Sequence, residues 1–254
     1  LMNKPEISGL LADMLKTGTT NRSKKQISDE LDRIKTNISF SGAVNGLIIN
    51  INTDKQNLSA ALTLLDDMLR NPKFDEAEFD KIKIDAKADI EASKNDPQTV
   101  AAEKLNKLST NYPKGHPNYA ASSDESLEDL AKVKLDDLKG YYKDFYGANN
   151  SISAFVGELD KKTVTDFLNK TFGKWDSKMK FATIVPKHFE EKGTTETINT
   201  PDKTNAMLLA NININVSETH PDFPAMYIAN ELLGGGAFLS SRIPQRLREN
   251  EGMS

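Results

Sequence analysis

Cysteine is absent from the 254 residues, so neither a disulfide framework nor a thiolate metal site can form. Histidine is nearly absent. His116, His188 and His220 are the only three, and no two stand four apart, the spacing that sets a pair of imidazoles on one helical face. No apolar run approaches the roughly 20 residues that cross a bilayer. The opening LMNKPEISGL lacks the apolar core and small-residue cleavage site of a secretory signal. A basic stripe is missing too. The 33 Lys and Arg are scattered among 37 Asp and Glu, for a net charge of −4, which excludes the electrostatic footprint of a nucleic-acid binder. Gly234–Gly236 follow a helical pattern with no Lys-Ser or Lys-Thr behind them, so they do not read as a phosphate loop. No Ser-His-Asp arrangement and no carboxylate pair stands out, which leaves a small-molecule enzyme without a supporting constellation.

What is present is a soluble, globular composition, 37% hydrophobic and 28% charged. Residues 5–17 place Ile7, Leu10, Leu11, Met14 and Leu15 at helical spacing, with Pro5 at the start and Gly18 past the end. Ser23 opens a second helix. ISFSGAVNGLIININT (38–53) alternates and predicts a β-hairpin turning near Asn45-Gly46. Helices are predicted over 57–72 and 74–96, within 98–109 and 125–146, and over 161–175. Strands are predicted at 151–159, 194–200 and 205–215, then helices at 221–235 and from 240. The order predicts α+β architecture rather than regular βαβ alternation. One internal echo stands out. Residues 10–34 and 228–252 share an apolar helix, a glycine turn, a serine cap and a second amphipathic helix. Leu15 and Leu233 occupy equivalent places, 218 residues apart, and an offset that long predicts duplicated domains. The expected division is 1–185, a linker at 186–193, and a second, truncated domain at 194–254.

TPDKTNAMLLANI, HPDFPAMYIANELLGGG, LSSRIPQRLRENEGMS, NPKFDEAEFDKIK, NDPQTVA and DLKGYYKDFYGANNSISAFVGELD resemble the pitrilysin/insulinase family of zinc metallopeptidases. The resemblance covers nearly the whole chain, and its most specific part is the LGGG, SSR and LRENEG run. It implies repeated α+β domains with a mixed or antiparallel sheet flanked by helices. It also implies a zinc held by an inverted H-x-x-E-H motif, whose glutamate activates the bound water, with a later glutamate as third ligand. That motif precedes an ML-x-x-GT segment, present here as DMLKTGT. The first histidine position therefore falls on Gly9, the glutamate on Ala12 and the second histidine on Asp13. The third-ligand position falls near Glu91, which reads as a solvated helix charge.

The resemblance thus points to a degenerate domain pair, the non-catalytic half of a zinc metalloendopeptidase. No cofactor is expected in this chain, and zinc is expected in the other half. The expected partners are that zinc-bearing half, in the same chain or as a subunit, and a peptide substrate. In family halves of this kind an arginine of the LR-x-x-E-G pattern reaches the substrate. It matches Arg248, and the tyrosine that completes the pattern would follow Ser254. A guanidinium suits the task, because its charge is permanent and its donors form a rigid fork. The plainer alternative pairs Arg248 with Glu249 or Glu251. A scaffold role for a wholly inactive relative is the competing function. A periplasmic or otherwise extracytoplasmic location is expected from the resemblance alone.

Overall fold

Helix α1 (Ile7–Met14) buries Ile7, Leu10, Leu11, Ala12 and Met14, so nearly its whole circumference is core. The computed structural model describes residues 4–44, 46–202, 206–235 and 241–253. α2 (Lys24–Arg33) starts where expected: Ser23 accepts the Gln26 N–H, and the Gln26 side chain returns the bond to the Ser23 N–H. β1 (Asn37–Ala43) and β2 (Gly46–Asn52) form the predicted antiparallel hairpin, with Asn37 opposite Asn52 and Ala43 opposite Gly46. Asn45, the expected turn residue, lies outside the described residues. On the inward face Ile38 meets Ile51, Phe40 meets Ile49 and Gly42 meets Leu47. Ile38 and Phe40 are buried, while Asn37, Ser39 and Ser41 are exposed. This is the period-2 pattern of a half-buried strand.

Helices then dominate: α3 (Leu58–Arg70), α4 (Glu76–Ser93), α5 (Pro97–Ser109), α6 (Ser123–Lys132), α7 (Leu135–Phe145) and α8 (Lys161–Thr171). Their starts are fixed by side-chain caps at Asp75, Asp96, Ser122 and Asp160. Pro97 occupies the first turn of α5, where no N–H is needed. α1, α3 and the hairpin build one core with Phe79, Leu130, Val133, Leu138 and Tyr146. Long side chains tie helix ends together. Lys83 Nζ caps the end of α6 at the Ala131 carbonyl (3.0 Å) and the Val133 carbonyl (2.8 Å). Tyr142 OH donates to the Leu69 carbonyl at 2.6 Å, and the Arg70 guanidinium sits 4.8 Å from the centre of the Trp175 ring.

Contacts divide the chain into two units, residues 1–187 with 193–211, and residues 188–192 with 212–254. The second unit holds α9 (Phe223–Asn230), continued by a π-helical turn, Glu231–Gly235, and then helical residues Arg242–Pro244 and Gln245–Asn250. The 218-residue offset lays α2 onto these last two stretches. Ser241, opposite Ser23, has the same extended backbone (φ −70°, ψ 156° against φ −71°, ψ 162°). Gly236, the last of the glycine triplet, lies outside the described residues.

The strands expected at 151–159 and 194–200, and the described part of the one at 205–215, are not paired. Among the described residues β1 and β2 are the only strands that share a ladder. Alternation specifies which face a strand would bury, but a strand exists only when a neighbour takes its N–H and C=O groups. Without one, Ile152 and Val156 stand 98% exposed and Leu208 90%.

A second constraint closes the loop between α5 and α6. Glu125 accepts bonds from the Ser122 N–H (3.0 Å) and Tyr119 OH (2.8 Å), and from Lys107 Nζ (3.0 Å). The Ser122 N–H, then Lys107 and Tyr119, hold its carboxyl far below the usual glutamate range. Its contribution is therefore complete above the unfolded value of about 4.3 and is lost as pH falls below it. Glu125→Gln is expected to cost about 1 kcal/mol at pH 7. Urea denaturation of both proteins at pH 7 and pH 3.5 checks this: the gap should close at the lower pH.

Candidate functional site

The site begins at α1, where DMLKTGT sets the register. Gly9 is exposed, and a Cβ built there meets nothing within 4 Å. Ala12 is 2% exposed, inside the core. Asp13 is half-buried, and its carboxylate takes the Lys16 ammonium at 2.6 Å. Two of these three side chains carry no donor atom for a metal, and the third is a single carboxylate already paired. Glu91 lies on α4, 3.6 Å from Lys87 Nζ and largely in solvent. The residues present do not fit a catalytic zinc, which needs three protein ligands and an open position. Among the described residues no group of three or more His, Cys, Asp or Glu is placed to hold a metal ion.

The histidines are engaged in local structure. His116 Nδ1 accepts the Asn118 N–H at 3.0 Å, and its ring stacks on Tyr112 with centroids 4.4 Å apart. His220 repeats the device, accepting the Asp222 N–H at 3.1 Å. In both, the residue three ahead returns its N–H to the histidine carbonyl (Tyr119 at 2.9 Å, Phe223 at 3.0 Å). These are His-Pro-Asx turns. His188 is exposed.

Arg248 stands on the π-helical stretch Gln245–Asn250, exposed. The acid that was to pair with it, Glu251, takes Arg246 instead at 2.5 Å. Arg248 has no ion pair among the described residues.

Sequence reasoning missed the group that fixes the exit from α1. Asp67 on α3 is 6% exposed. It receives Thr19 Oγ1 (2.8 Å), Asn21 Nδ2 (2.5 Å), Asn71 Nδ2 (3.0 Å) and the Arg22 guanidinium. Burial by itself would raise its pKa. The bonds from Asn21, Thr19, Asn71 and Arg22 outweigh burial and hold the carboxyl below its ordinary value. A signal existed: Asp67 interrupts the apolar stripe of Leu64, Leu65 and Met68, and a carboxylate on a core face needs partners. Beside the loop lies an open groove of about 690 Å³ lined by Asn21, Arg22, Gln26, Asp29, Glu30 and Arg33. Its charges are mutually engaged, Arg33 with Glu30 and Asp29 with Lys25, so no free group converges on it. No helix among the described residues is long and apolar enough to cross a membrane.

Comparison with known proteins agrees with the geometry. Residues 3–119 match the insulinase family, peptidase family M16. Residues 132–254 match the family described as the peptidase M16 inactive domain. A Bacillus subtilis protein named "Uncharacterized zinc protease YmxG" is 24% identical over 98% of this chain and 59% of its own length. A Helicobacter pylori protein named "Non-peptidase homolog YmxG" is 23% identical over 99% of this chain and 56% of its own. The fold matches a Pseudomonas fluorescens peptidase M16 inactive domain with TM-score 0.75 at 20% identity, covering 98% of this chain and 59% of that one. The chain thus spans little more than half the length of these relatives. Its α+β fold, its degenerate α1 motif and both family matches place it in one group: the chain belongs to the peptidase M16 (insulinase) family, with residues 132–254 of the inactive-domain type.

Proposed function

We propose that this chain is the non-catalytic, substrate-binding part of a zinc-dependent metalloendopeptidase, and that it completes a peptide chamber whose zinc is carried by another half. The observation that carries the reading is the chemistry of α1: Gly9, Ala12 and Asp13 offer neither metal grip nor general base, inside a family defined by that site. The "non-peptidase" Helicobacter relative supports it. An extended peptide would pair its main chain with a strand edge, a general recognition mode, and the hairpin has such edges. Arg248 would orient a substrate carbonyl as negative charge develops on it. Its exposure, with Glu251 committed to Arg246, supports that role.

The test mixes this chain with a zinc-bearing family half and follows cleavage of a quenched-fluorescent peptide library. Cleavage should require both. Arg248→Ala should lower kcat/KM by about 100-fold, as loss of one oxyanion donor does, with zinc content unchanged and partial rescue by Arg248→Lys. Full cleavage with Arg248→Ala would favour the scaffold reading, which the same Helicobacter relative also admits. Hydrolysis by this chain alone would overturn both.

A further inference from the structure

α1 parts the three motif positions in space. Positions 9 and 13 lie one turn apart on the side that reaches solvent: Gly9 is exposed and open around its Cβ, and Asp13 is half-exposed beside Lys16. Position 12 points the other way, and Ala12 is 2% exposed among Leu10, Leu11 and Met14, themselves 4%, 0% and 1% exposed. The elements against α1 offer a charge at position 12 nothing to pair with. β1 and β2 contain no ionisable residue at all. α4 and α7 turn Phe79, Ile82, Ile90, Leu138 and Tyr142 towards this core. The hairpin also leaves no slack, because the backbone of β1 touches that of α1 at Ser8 and Gly9.

We infer that α1 keeps an outward ledge, Gly9 and Asp13, able to take a metal-gripping imidazole pair, but has folded the water-activating position, Ala12, into the core. Restoring the three motif residues therefore cannot make this domain a hydrolase. Two imidazoles at i and i+4 can share a metal without disturbing the interior. A glutamate at position 12 must either lose its charge or pull α1 away from the hairpin, because an ionised carboxylate without a partner is not tolerated in an apolar interior. The inference concerns α1 alone and holds whether or not Arg248 touches substrate.

The whole chain serves for the test, and its lack of cysteine makes single thiol probes clean. Gly9→Cys should react with a thiol reagent at the rate of an exposed residue. Ala12→Cys, a small change, should be protected by about 100-fold or more, its labelling limited by opening of the domain. Equal reactivity at the two positions would overturn the inference. The double variant G9H/D13H should unfold at the wild-type midpoint without metal. Added Zn²⁺ should raise that midpoint, and a chelator should reverse the gain. Absence of a zinc-dependent rise would refute the outward ledge. The triple variant G9H/A12E/D13H should be less stable than the double variant. The deficit should widen from pH 5 to pH 8, because a buried carboxyl keeps its proton in the folded state while the unfolded chain releases it. A triple variant as stable as the double one at pH 8, holding one equivalent of zinc, would show position 12 facing outward and end the proposal.

Discussion

Gly42→Ala is expected to cost about 3 kcal/mol, the upper range of overpacking by a single methyl. A Cβ at position 42 would stand 2.2 Å from the Ser8 carbonyl oxygen and 2.7 Å from the Gly9 nitrogen. Both are backbone atoms of α1, so no rotamer change can relieve the clash. β1 must withdraw from α1, and Ile38 and Phe40 lose their packing with it. For a unit of this size the melting midpoint should fall by roughly 6 to 12 °C, read by circular dichroism. Gly140→Ala is the control. Its Cβ meets nothing within 4 Å in the interior of α7, where alanine is favoured over glycine by about 1 kcal/mol. A Gly42→Ala midpoint equal to wild type would mean that β1 does not rest on α1 as described.

Asp67→Ala should be nearly as severe, at about 3 kcal/mol, because it strands buried donors that had a charged acceptor. Thr19, Asn21 and Asn71 lose their partner, and the Arg22 guanidinium loses its counter-charge. The sign with pH follows from the lowered carboxyl. The stabilisation is complete above the unfolded aspartate value of about 3.9 and disappears as pH falls through the lower folded value. Urea denaturation at pH 7 and pH 3 should show the mutant gap shrinking in acid. A gap that is constant with pH would mean that the ionised carboxylate is not the hub.

The two substitutions mark what the sequence could and could not convey. Helical spacing at Ile7, Leu10, Leu11 and Met14 announces α1, and Ser23 and Asp96 announce their helices, because these signals are local. Hairpin alternation around Asn45-Gly46 is local as well. The loss of zinc chemistry is legible from DMLKTGT, since it needs only residue identity in register. The Asp67 hub joins positions more than forty residues apart, and nothing local names its partners. The same reasoning explains 151–159, where the alternation was real but pairing depends on a neighbour that no local pattern supplies. The inward turn of Ala12 is set by how α1 rolls onto the hairpin, which only packing decides.

The paired His-Pro-Asx turns carry one more consequence. An imidazole that accepts a backbone N–H at Nδ1 must bear its own hydrogen on Nε2. A metal-ligating histidine is wired the opposite way, giving its spare N–H to an acceptor while the other nitrogen donates its lone pair. His116 and His220 are thus held as the wrong tautomer for coordination, and either could bind a cation through Nε2 only as an imidazolate. Of the scarce imidazoles in this chain, the turns have taken two out of metal chemistry.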